Sequence, residues 1–253
     1  MGKATFPVIL HEDDAILVVA KPPSFHSLPD RFRPDIPNLR EWLRQRYGEV
    51  FVVHRLDHDT SGVMVFARTP EAHRDLSLQF EHRRVSKVYH AVVVGVVEDD
   101  AFDIDIPLLV DPSAPGRVIP SARGKESLTR VRVRERFQSA TLLECEPVTG
   151  RQHQVRVHVA AVGHPLLVDS FYGVGDGVYL SALKPRYKKK RTDPERPIIN
   201  RATLHAWSIT ILHPANGEPA TFTAEHPKDF RALLHALRKY SASSWGEEHG
   251  EAI

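Results

Sequence analysis

The chain has 253 residues, 42% hydrophobic and 26% charged, with a formal net charge of +2. That length builds one large domain or two small ones around a substantial core, and the near-neutral balance by itself points to no class of partner. No run approaches the roughly 18 apolar residues of a membrane span, MGKATFPVIL lacks the pattern of a cleaved leader, and Cys145 as sole cysteine excludes an intramolecular disulfide or a paired-cysteine zinc site, so a cytoplasmic protein is expected.

In chain order, the apolar run Ile16 to Ala20 predicts a buried strand, ended by the rigid Lys21-Pro22-Pro23. Leu39, Trp42, Leu43 and Tyr47 recur at helical spacing, with Gly48 as the stop. Gly62 to Ala67 predicts a second strand. Thr69 then caps a helix with Pro70 at its first position and Ala72, Leu76 and Phe80 on its buried face. Valines around Tyr89 and His90 predict a strand over 87–94. Two more follow at Leu128–Arg136 and Thr141–Pro147, where Arg130, Arg132 and Arg134 share one face and Glu144 and Glu146 another. Cross-strand ion pairs are the main expectation there, an RNA-facing arginine ladder the alternative.

Thr149 and Gln152 have the spacing of a capping box, and Val155, Val159 and Val162 continue at helical intervals to Gly163. Leu204–Leu212 and Thr221–Thr223 flank Asn216-Gly217 as a hairpin, and Phe230, Leu233, Leu234 and Leu237 mark a closing amphipathic helix. Residues 241–253 are expected to be a disordered polar tail. Strands and helices intermingle without regular alternation, which predicts an α+β fold.

Basic charge concentrates in KPRYKKKR, Lys184 to Arg191, with six basic residues in eight. Flexible cations with one aromatic neighbour suit phosphate contact rather than base reading. His153, His158 and His164 beside Asp169 suggest a metal site, but no pair has the i, i+4 spacing of a zinc helix, so no metal is expected. Ser61-Gly62 is no hydrolase elbow, since no glycine stands two residues before the serine; a turn-forming role is expected.

The segment richest in chemistry is HRLDHDTSG, His54 to Gly62, which sets Asp57 between cationic or potentially cationic neighbours just before a strand. Taken alone, such a loop aspartate is more often a cap than a nucleophile. HRLDHDTSGVMVFA, however, resembles the catalytic motif of the RluA-type pseudouridine synthases. ILVVAKPP, PVTGRQHQVRVHVAAVGHPLLVDSFYG and LHAWSITILHP fit the same family in the same order, over roughly residues 8 to 230.

The resemblance implies one catalytic domain over 1–240, without a separate N-terminal RNA-binding domain, built as a mixed, mostly antiparallel sheet with flanking helices and a central RNA-binding cleft. It implies Asp57 as nucleophile, Tyr89 as the aromatic wall with a hydroxyl near C5 of the target base, and Arg156 as partner of the catalytic carboxylate. Arg156 is preferred to Arg151 because five residues of helix rotate a side chain by about 140°. RNA contacts are expected at His54, Arg55, Thr60, Arg151 and Gln154, and at Lys188, Lys189 and Lys190. The expected partner is structured rRNA or tRNA, with no cofactor and a monomeric protein. The glycine usual after Lys21-Pro22 is absent, and Val168 stands where glycine is common; neither replaces a catalytic group. The competing reading is a non-catalytic RNA-binding or ribosome-assembly factor on the same fold.

Overall fold

The computed structural model describes residues 6–30, 33, 35–187 and 194–243. Its elements in chain order are β1 (Val8–Glu12), β2 (Ile16–Lys21), α1 (Leu39–Tyr47), β3 (Phe51–Val52), β4 (Ser61–Ala67), α2 (Pro70–Glu81), β5 (Ser86–Val94), β6 (Ala101–Asp105), β7 (Leu108–Val110), β8 (Val118–Pro120), β9 (Leu128–Arg136), β10 (Ala140–Pro147), α3 (Gln154–Ala161), α4 (Leu180–Leu183), β11 (Leu204–Leu212), β12 (Pro219–Thr223) and α5 (Lys228–Tyr240). The fold is α+β. Two compact units form, one from residues 1–89 and 205–227 and the other from 90–204 and 228–253.

In the first unit β1, β2 and β4 pair antiparallel in that order, and β11 joins the far side of β4 in parallel. β3 pairs antiparallel with β4 and β12 with β11. All seven residues of β4 are buried, so the strand is covered on both faces, and its apolar run has no alternation for that reason. Its side chains form a core with Ile16 to Val19, Leu39, Leu43, Leu76, Ile209 and Ile211. Each such large apolar group contributes about 1.5–3 kcal/mol by leaving water.

α1 matches its predicted limits and α2 its predicted start. Gly48 ends α1 at φ 77°, and Thr69 Oγ1 accepts the Ala72 amide at the start of α2. Asn38, which the sequence reading did not single out, caps α1 by accepting the Glu41 amide at 3.0 Å.

Gly62 has a structural reason. It pairs with Ala206 across the parallel β4–β11 contact at φ +128°, and a Cβ there would overlap the Ala206 backbone. Ser61 opens the strand rather than a turn. Its buried hydroxyl bonds His205 Nδ1 at 2.9 Å, while His205 Nε2 donates to the Ala224 carbonyl at 2.8 Å.

In the second unit β6, β9 and β10 pair antiparallel, and β7 with β8 forms a separate small hairpin. Phe230, Leu233, Leu234 and Leu237 of α5 pack with Val92, Phe137, Leu142 and Ile199. The arginine face carries the expected ion pairs, Arg132 and Arg134 lying 3.9 and 3.5 Å from Glu144. Being exposed, each contributes about 0.2–1 kcal/mol.

The capping box at Thr149 and Gln152 does not form. The helix begins at Gln154 after His153, a left-handed residue at φ 54° that makes no side-chain cap. Thr149 Oγ1 bonds the Gln154 side chain and Gln152 bonds the Gly116 carbonyl, so tertiary partners outcompete the local motif. At the C-terminal end the Ser241 carbonyl accepts the Gln138 amide and Ala242 bridges Phe137, keeping the chain docked past Tyr240. The rest of the expected tail, 244–253, lies outside the described residues. Among the described residues no helix is long and apolar enough to cross a membrane.

Candidate active site

Asp57 sits in the irregular connection between β3 and β4, and the backbone on both sides of it is held. On one side the Ser27 hydroxyl donates to the Leu56 carbonyl at 2.7 Å and accepts the Leu56 amide at 3.2 Å. On the other, the His58 carbonyl accepts Lys21 Nζ at 3.0 Å and the Phe25 amide at 3.3 Å. The Thr60 amide then closes a turn onto the Asp57 carbonyl at 3.2 Å.

Lys21 is 1% exposed and also donates to the carbonyls of Pro22 and Phe25, at 3.0 and 2.8 Å. A buried ammonium ringed by carbonyl dipoles meets much of its desolvation cost, and here it ties the KPP segment to the Asp57 loop. Lys21 and Ser27 are functional supports that the sequence reading missed. The proline-controlled segment that starts at Lys21 and leads to Ser27 was the visible signal.

Tyr89 lies in the same unit, in β5, packed against the core around β4. Burial and the neighbouring negative charge of Asp57 both push its phenol well above the usual tyrosine range. The hydroxyl therefore keeps its proton at neutral pH. The phenol thus lies within reach of the Asp57 charge.

Arg156 belongs to the second unit, on α3, and is 5% exposed. Its Nε donates to Asp169 Oδ2 at 2.6 Å and its Nη2 to Oδ1 at 2.7 Å. Asp169 Oδ1 also accepts the amides of Phe171 and Tyr172, at 2.9 and 3.2 Å. Burial alone would raise the Asp169 carboxyl, but Arg156 and these amides hold it below its ordinary value. The guanidinium carbon stands 5.2 Å from the Tyr172 ring, within cation–π range. Asp169, considered at first only as a metal ligand, is thus the arginine's carboxylate partner within this unit.

Other predicted contacts divide by burial. Arg55 is exposed, and Arg151 keeps its side chain at the surface with Nε on the Glu126 carbonyl at 3.1 Å. Arg151 precedes α3, so helical rotation does not separate it from Arg156 as expected; the chain simply turns between them.

His54, Thr60 and Gln154 are corrections, because each side chain is directed inward. His54 Nε2 accepts the Val65 amide at 3.0 Å and its ring stacks on Phe80 at 4.9 Å, while desolvation and Lys87 push its pKa down to about 3. It is a neutral prop for β4. Thr60 is 2% exposed. The Gln154 amide is saturated: its oxygen accepts from Thr149 Oγ1 and the Arg151 amide, and its nitrogen donates to the Leu128 carbonyl and Thr129 Oγ1. Lys188, Lys189 and Lys190 lie outside the described residues.

The histidines first suspected of metal binding have other partners. His153 Nδ1 meets the Tyr172 hydroxyl, His158 bonds Thr129 Oγ1 and the Ile106 carbonyl, and His164 bonds the Val94 carbonyl. A different group, His11, Asp13 and His213, brings ligand-type atoms within 4.8 Å of one another. It is a hydrogen-bonded clasp: His213 Nδ1 accepts the Ala215 amide, which leaves its proton on Nε2, 2.9 Å from Asp13 Oδ2. Asp13 Oδ1 meanwhile accepts the Ala15 and Ile16 amides, fixing the turn into β2.

Residues 15–161 match the RNA pseudouridylate synthase family. The chain is 39% identical over 212 residues to the dual-specificity RNA pseudouridine synthase RluA of Vibrio vulnificus, covering 81% of this chain and 78% of that one. It is 38% identical over 245 residues to the ribosomal large subunit pseudouridine synthase D of Xanthomonas campestris, covering 92% and 70%. The solved human RNA pseudouridylate synthase domain containing 4 superposes with a TM-score of 0.66 at 25% identity, covering 91% of this chain and 92% of that one.

Proposed function

The chain belongs to the RNA pseudouridylate synthase family, and from that premise we propose that Asp57 is the nucleophile with which it isomerises one uridine of a structured rRNA or tRNA. The enzyme is an RNA pseudouridine synthase. The observation that carries the residue assignment is that Asp57, on a loop braced from both sides, exerts its charge on the half-buried phenol of Tyr89 in the same unit.

The chemistry requires that the bond from ribose to N1 break, that the uracil turn while still held, and that C5 bond to the ribose carbon. One carboxylate suffices because no water is activated, unlike the paired carboxylates of glycoside hydrolases. A water-poor site keeps the detached base from escaping or being hydrolysed. Extracting the uridine from its stack costs a few kcal/mol, which stacking on an aromatic wall partly offsets. Tyr89 provides that wall. Over the reaction C5 loses a proton and the released N1 gains one, and Tyr89, its phenol protonated, takes part as a relay that receives the proton from C5 while its own hydrogen passes on toward N1. Arg156 is the cation that the family resemblance assigns to the reaction. The exposed Arg55 and the half-buried Arg151 attract phosphates, and a cytoplasmic site of action goes with such an RNA substrate.

The experiment that tests this reading is carbodiimide mapping of pseudouridines in total RNA from cells with and without the protein. One or a few sites should vanish with the protein. An unchanged map, with RNA binding intact, would favour the non-catalytic assembly factor instead.

Tyr89→Phe keeps the ring and removes the hydroxyl. RNA affinity should stay within about twofold while single-turnover rate falls by roughly 100-fold, the lower range for a lost acid–base group. A wild-type rate would remove the relay role. In the same assay Arg156→Ala should slow the reaction by about 100-fold or more, as expected of a lost charge-stabilising donor, and Arg151→Ala should chiefly weaken RNA binding. The reverse order would mean that the catalytic arginine is Arg151.

A further inference from the structure

The Arg156–Asp169 pair is buried far more completely than an ion pair needed only for stability. Its side chains are 7% and 0% exposed. Desolvation of both charges cancels much of their attraction, so such pairs are weak stabilising devices, and what they supply best is a fixed orientation. Resting on the reading that Arg156 acts in the reaction, we propose that Asp169 is the positioning residue of that arginine and reaches the chemistry only through it.

The geometry favours this reading at each contact. A guanidinium is planar and carries five N–H donors in a rigid fork, so fixing two of them fixes the plane and the directions of the other three. Asp169 engages Nε and one Nη2 hydrogen at 2.6 and 2.7 Å. The carboxylate is itself immobile, because Oδ1 accepts the amides of Phe171 and Tyr172. Tyr172 is held in turn: its hydroxyl accepts the Val118 amide at 2.8 Å and shares a second hydrogen bond with His153 Nδ1, 2.9 Å away. His153 is the left-handed residue that opens α3, the helix bearing Arg156. The arginine is thus gripped from the loop after Asp169, and that loop is anchored at the base of the arginine's own helix.

The test is a double-mutant cycle on an RNA stem-loop that the wild-type enzyme modifies, read as single-turnover pseudouridine formation with RNA affinity measured alongside. Asp169→Asn retains a carbonyl for the two loop amides and sets an amide group against Arg156 Nε. It should lower the rate about 100-fold, the loss that a misplacement near 1 Å produces, with RNA affinity within twofold of wild type. In an Arg156→Ala background the same substitution should lower the rate no further. Asp169→Glu keeps the charge and shifts the carboxylate by a methylene, so it should slow the reaction in the same way and carries the cycle if the asparagine variant does not fold.

A wild-type rate for either folded variant overturns the proposal while leaving Arg156 in its role. So does an equal fractional loss with and without Arg156, which means that Asp169 acts independently of the guanidinium. A wild-type rate for Arg156→Ala sinks the arginine's role and this inference together.

Discussion

Asp57→Asn is expected to lower pseudouridine formation by roughly 10⁴-fold or more, the scale on which removal of a covalent nucleophile acts. Asparagine has nearly the same volume, so the loop should not rearrange. The groups that brace the loop act on the carbonyls of Leu56 and His58 and on the Leu56 amide, none of which the substitution touches. Affinity for the stem-loop should stay within about twofold, since the basic side chains that meet phosphate are unchanged. The check is carbodiimide mapping of the product RNA together with thermal denaturation of the variant. Turnover near the wild-type rate in a folded Asp57→Asn protein would refute the assignment of the nucleophile.

Gly62→Ala should destabilise the protein by about 3–5 kcal/mol, among the largest effects that a single methyl group produces. Two penalties combine. The φ of +128° disfavours any L side chain, and the added Cβ would overlap the backbone of Ala206 on the paired strand. Neither neighbour yields easily, because β4 is buried on both faces and β11 is paired on its other side by β12. For a chain of this size the melting midpoint should fall by roughly 10 °C, provided that the variant folds at all. A midpoint within 2 °C of wild type, outside the expected range, would show that the β4–β11 contact is softer than its geometry implies. Activity should fall with stability, since Asp57 lies just upstream of β4.

The sequence signals that held were those whose physics is local. Thr69 before Pro70, the apolar spacing through Leu39 and Leu43, and the valine-rich run at Tyr89 each produced the element their pattern implied. Three-residue strands such as β7 and β8 have too few positions to show alternation. The Thr149–Gln152 box illustrates the other failure, a correct local motif whose side chains found better partners in space. The boundary between the two compact units was equally invisible, because the chain crosses it within β5 and at the edges of β11 and α5, without any linker composition.

Among the site residues, the motif around Asp57 and the aromatic character of Tyr89 were legible because chemistry restricts residue type there. Position in sequence could not show which polar side chains face solvent. His54 and Gln154 read as RNA ligands, yet His54 Nε2 accepts a strand amide and the Gln154 amide is fully bonded inside the fold. The sequence by itself therefore determined the family and the reaction class, both of which depend on residue identity at short spacings. Only the tertiary structure decided that Lys21 braces the loop of Asp57 from 37 residues away and that Asp169 holds Arg156 from 13 residues away. The physical reason is that burial and hydrogen-bond partners are properties of the packed chain, and a side chain's identity limits its possible partners without selecting among them.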